Sequence, residues 1–116
     1  MTGSICALAA AASLVACAPE PMTVPQACSA EKNLARNTPD GEGSAAEVEV
    51  IRAKYRVAYY RDWSGRIDGA LGAAFSDLAK AEAMTISEGS SPEGDSSDEY
   101  WSLMLSATKT IMRICG

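Results

Sequence analysis

Residues 52 to 66 carry the densest concentration of chemistry-bearing side chains in the chain. Arg52, Lys54, Arg56, Arg61 and Arg66 stand against one acid, Asp62, a net +4 within a protein whose overall charge is −5. Tyr55, Tyr59, Tyr60 and Trp63 interleave with these bases. Cations and aromatic rings together grip phosphates, nucleic-acid strands or anionic membrane surfaces. Aromatics and arginine are also the side chains that dominate protein–protein contacts. Tyr59, Tyr60, Arg61 and Trp63 are therefore the candidate partner-binding residues. The same pattern also fits an amphipathic helix whose aromatic stripe packs inward and whose arginines form its solvated face.

Other chemistry is sparse. The chain has no histidine, which removes Ser-His-Asp and Cys-His nucleophile systems, histidine metal sites and histidine pH switches. No glycine-rich phosphate loop occurs; Gly41-Glu42-Gly43 reads as a turn. The four cysteines are never closer than 11 residues, so the paired spacing of a zinc site is missing. Glu88, Glu93, Asp95, Asp98 and Glu99 form an acidic run without the alternating ligands of an EF-hand. Asp77 and Lys80 read as a helix ion pair. The expectation is a non-catalytic protein with no cofactor and no metal. A pI near 4.6 argues against nucleic acid as partner.

The N-terminus suggests a destination. Residues 1–16 hold no charged side chain, and the apolar run from Ile5 to Ala18 is too short to span a bilayer but suits the core of an export signal. It ends in Leu14-Val15-Ala16-Cys17, which resembles the lipobox of bacterial lipoproteins. That resemblance covers only about the first 18 residues. It implies cleavage before Cys17 and a diacylglycerol on the Cys17 sulfur, and Ala18 in second place implies an outer-membrane destination. The basic residues that open export signals are missing before Cys17. The alternative is an alanine-rich buried helix retained in the mature chain. Under the lipoprotein reading Cys17 is consumed, and Cys28 and Cys115 remain as one pair able to close the domain from end to end. An intermolecular bridge through either cysteine fits the sequence equally, and without cleavage four cysteines allow three pairings.

Of the 116 residues 47% are hydrophobic, but 21 residues are alanine, so the core is thin and a crosslink would help it. Residues 17–25 read as a proline-rich linker, leaving a single domain over 26–116. A short helix is expected from Gln26 to Arg36. The next starts at the Ser44/Glu47 capping box, with Val48, Ile51, Tyr55, Tyr59 and Trp63 on one face. Ser64-Gly65 ends or bends it. Ile67 to Thr85 places Ile67, Leu71, Ala74, Phe75 and Leu78 together, with Gly69 and Gly72 as weak points that permit close approach. Residues 87–97 read as a mobile acidic loop. The last helix is expected from Ser96, capped by Glu99, with Trp101, Met104, Leu105, Thr108, Ile111 and Met112 as its apolar stripe. No alternation, hairpin turn or repeat is present. The expected fold is all-α, a three- to four-helix antiparallel bundle.

These features suggest an exported, lipid-anchored helical protein that acts by protein–protein contact in the cell envelope, as a subunit of an envelope or membrane-associated complex. A small secreted toxin or effector shares the size, export signal and helical build, but not the anchor.

Overall fold

The computed structural model describes residues 20–116, all-α among those residues and closed by a disulfide. The expectations for residues 1–16 and for Cys17 lie outside the described residues. Helix α1 spans Val24–Asn37, α2 Ala45–Ser64, α3 Gly69–Glu88 and α4 Ser97–Cys115; a 3₁₀ turn at Gly94–Ser96 precedes α4.

The caps explain most boundaries. The Thr23 hydroxyl accepts from the Gln26 amide while the Gln26 side chain accepts from the Thr23 amide, so α1 starts at Val24 rather than Gln26. Ser44 and Glu47 form the expected reciprocal pair on α2. Ser64-Gly65 ends α2, and α2 and α3 form a hairpin. Gly72 sits where a Cβ would collide with the Ile67 carbonyl oxygen, so the tightness of that hairpin depends on it. Left-handed Gly89 (φ 77°) closes α3.

The 89–96 connection is shorter than the expected loop and fastened. Pro92 is buried, and the Ser91 amide donates to Glu49 Oε1 at 2.9 Å. The Ser96/Glu99 cap does not form. Ser96 closes the 3₁₀ turn with a helical backbone (φ −84°, ψ −9°), and its hydroxyl donates to Glu88 Oε2 at 2.8 Å instead.

Helix α3 packs along both α2 and α4, antiparallel to each. Helix α1 adds Ala27 and Leu34 to the core and touches α4. Its N-terminal end is held by the Met22 amide donating to the Arg66 carbonyl and by Arg66 Nε donating to the Glu20 carbonyl. Cys28 bonds to Cys115 there, with Cα atoms 5.5 Å apart. The core gathers Val57, Tyr60, Trp63, Ile67, Leu71, Phe75, Leu78 and Ala107, with Ala27 and Leu34 from α1.

Two expected stripes divide. On α2, Val57, Tyr60 and Trp63 join the core, Tyr60 and Trp63 against Phe75 of α3, whereas Tyr55 and Tyr59, with one side of Trp63, line a concavity beside α1; a helix between two neighbours has two packing faces. Ile51 is exposed. On α4, Met104 and Ile111 join the core beside Tyr100 and Ala107, but Trp101, Leu105, Thr108 and Met112 point outward. Small Ala107, 1% exposed, lets that side of α4 approach the bundle closely.

Candidate functional site

Four polar side chains from three helices meet inside the bundle. Glu82 of α3 is buried and faces Arg56 of α2, whose Nε lies 2.9 Å from Oε2 and whose Nη2 donates to Oε1 at 3.4 Å. Glu31 comes from α1; its Oε1 is shut off from solvent and has no hydrogen-bond partner. The Tyr60 hydroxyl lies beside it. Glu82 is paired with the guanidinium, whereas Glu31 only feels its field.

Burial pushes the Glu31 carboxyl above its ordinary range; the Tyr60 hydroxyl and Arg56 pull it back only in part. Burial also raises Glu82 against the pull of Arg56. The Tyr60 phenol is driven well above its normal value by burial and by both carboxylates, so it stays protonated. Chemically the cluster can hold a proton that an exposed carboxylate would release.

That proton makes the cluster pH-sensitive in a definite direction. With folded-state pKa values raised, the native state binds more protons than the unfolded chain between the ordinary carboxylate pKa and the raised values. Stability is therefore fully present below that window and falls as pH rises through it. Glu31→Gln should flatten this fall and stabilise the protein at pH 7 by about 1 kcal/mol. Urea midpoints measured across that window for both proteins check this; an unchanged slope would show that Glu31 does not carry it.

Two concavities flank α2. One, about 300 Å³, has this cluster at one end and Leu78, Met104, Ile111 and Met112 along its apolar wall. The other, also about 300 Å³, runs between α1 and α2 and is lined by Tyr55, Tyr59 and Trp63 opposite Asn33, Leu34 and Asn37. Its rings step along the helix at centroid distances of 5.5 Å and 5.9 Å.

The four candidate partner-binding residues do not form one surface. Tyr60 and Trp63 are core side chains, 5% and 6% exposed, stacked and edge-on against Phe75. That corrects the expectation for these two: an aromatic patch would need their faces in solvent, and both are consumed by packing. Only Tyr59, 43% exposed, and Arg61 remain on the surface. The bases are also dispersed. Arg56 pairs with Glu82, Arg66 with Asp62 at 3.0 Å, and Arg52 reaches the Pro39 carbonyl.

The surface that sequence reasoning placed inside is the outer face of α4. Trp101, Leu105 and Met112 are 51%, 59% and 66% exposed. With exposed Thr108 they follow spacings of 4, 3 and 4 residues along one stripe. The signal for it was the width of the apolar pattern, which exceeds what one packing face absorbs. Among the described residues no group of three or more metal-ligating side chains gathers, and no helix is long and apolar enough to cross a membrane. Comparison with protein-family models, curated proteins and solved structures finds no match.

Proposed function

We propose that this is an exported, lipid-anchored helical domain that works by protein–protein contact, with the outer face of α4 as its docking surface. The observation carrying this reading is the row of Trp101, Leu105 and Met112, large apolar side chains left half or more exposed on one helix face. Such contiguous apolar surface is costly in water and usually marks an interaction site. The Cys28–Cys115 bridge supports export, because disulfides persist in oxidising compartments. Lipid on Cys17 would hold the domain at a membrane, as the lipobox-like Leu14-Val15-Ala16-Cys17 implies. Tyr59 and Arg61 stand as a lesser contact area.

Intact-mass measurement of the natively expressed protein, before and after reduction, tests the export half. The expected species lacks residues 1–16, carries a diacylglyceryl group and gains two hydrogens on reduction. An uncleaved chain with free thiols would overturn export. Cleavage without lipid would favour a diffusible secreted toxin or effector. The docking half is tested in cells with a photoreactive side chain at position 105 and, as control, at exposed Lys80. Protein adducts should form from 105 and not from 80; equal yields would sink the docking surface.

A further inference from the structure

We infer that the cavity ending at Glu31 and Glu82 binds a small organic cation with an apolar body, an alkyl- or arylammonium whose positive end meets the Glu31 carboxylate. The cavity holds about 300 Å³, the low end of the range for small-molecule sites (about 300–1,000 Å³). Its lining is the mixture such sites use, an apolar wall with a few polar groups converging at one end. Leu78 of α3 and Met104, Ile111 and Met112 of α4 make the wall. Glu31, Arg56, Tyr60 and Glu82 make the polar end. The methionines give the wall an adaptable surface that accepts varied shapes. Such binding requires neither export nor a protein partner.

Charge identifies the ligand's polar group. The guanidinium at the polar end is already engaged: Arg56 Nε lies 2.9 Å from Glu82 Oε2. Tyr60 contributes a phenol that stays protonated, and α4 adds no charged group to the lining. Ionised Glu31 therefore leaves one negative charge in excess, and its Oε1 has no hydrogen-bond partner among the described residues. A buried carboxylate without a cation is costly. An ammonium in the cavity supplies the missing partner. Oε1 is out of reach of water, and a turn about the soft terminal torsion of the side chain presents the carboxylate to the cavity. An anionic ligand would meet the excess charge of its own sign, and a neutral one would leave that charge unanswered. Because the cation pairs with the ionised form, its binding expels the proton that burial otherwise keeps on Glu31. Affinity should therefore rise with pH through the window in which Glu31 ionises.

The test titrates n-hexylammonium, hexanol and hexanoate into the full chain as processed by an export-competent host, in mild nonionic detergent, with a detergent-only titration subtracted. Calorimetry reads affinity, and methyl NMR reads position. The amine should bind about tenfold more tightly than hexanol, the margin of a charge-assisted hydrogen bond, and hexanoate should bind least. Shift changes should gather at Met104 and Ile111. Glu31→Gln keeps the shape and removes the charge. It should weaken the amine about tenfold, abolish the rise of affinity with pH and leave hexanol unchanged. Its urea midpoint, expected above the wild type's at neutral pH, verifies folding. Equal affinity for amine and hexanol, or affinity flat with pH, would overturn the proposal. So would full amine binding by the glutamine variant, shifts gathered at Tyr55 and Tyr59 instead, or no amine binding at all.

Discussion

Phe75→Ala should lower the unfolding free energy by about 4 kcal/mol, the largest loss expected from any single side chain in this domain. Phe75 is the chain's only phenylalanine and is fully buried. Its ring meets Trp63 edge-on at 5.2 Å and stacks on Tyr60 at 6.1 Å, so it ties α3 to both packing faces of α2. The cavity left by truncation would be walled by two rigid aromatic rings, which collapse poorly onto empty space. Phe75→Leu, which fills most of that volume, should cost under about 1.5 kcal/mol. Urea denaturation followed by circular dichroism measures both. A loss below about 1.5 kcal/mol for the alanine variant would mean that the aromatic trio is not the centre of the core.

The second large effect belongs to the bridge. The disulfide joins residues 87 apart in sequence, and closing a loop of that length removes about 4–5 kcal/mol of unfolded-state freedom in the chain-entropy account. Against a typical domain stability of about 5–15 kcal/mol, that is a large share. Cys28→Ser together with Cys115→Ser should therefore lower the urea midpoint strongly. The loss should not be uniform. Helices α2, α3 and α4 hold one another through the α3 contacts, whereas α1 adds chiefly Ala27 and Leu34 to the core. Amide exchange should rise first and most in α1. Uniform acceleration across all four helices would show that α1 is integral to the core rather than stapled to it.

How much of this is legible from residues alone depends on the range of the interaction. The three-residue cap pattern occurs at Thr23/Gln26, Ser44/Glu47 and Ser96/Glu99. The first two form because their caps are extended (ψ 162° and 166°). The third fails because Gly94, at φ 68°, starts a 3₁₀ turn that carries Ser96 into helical geometry. The pattern is local, but the backbone entering it is not. The all-α class and the stripe through Leu71, Phe75 and Leu78 follow from periodicity; whether Ser64-Gly65 ends the helix or only bends it does not. That stripe continues by four to Glu82 and three more to Thr85, both buried. Extending it would have placed a carboxylate in the core and called for a cation. What periodicity could not supply was the partner: Arg56 lies 26 residues earlier, and Glu31 sits on a third helix. The candidate surface misread for the same reason. Tyr60 and Trp63 share a helix with Tyr59 and Arg61, and only the positions of α1 and α3 determine which of them meet water.

The Cys28–Cys115 bond makes most of the described chain a covalent ring. Both longer connections, 38–44 and 89–96, lie within that ring, and their outermost residues are exposed. A protease that clips either one opens the ring without releasing a fragment: the product stays one molecule, with both new ends held next to their original neighbours by helix packing and the sulfur link. Damage that would split an unbridged bundle in two becomes a nick. A domain closed in this way carries such nicks and keeps its four helices, α4 included, in one molecule.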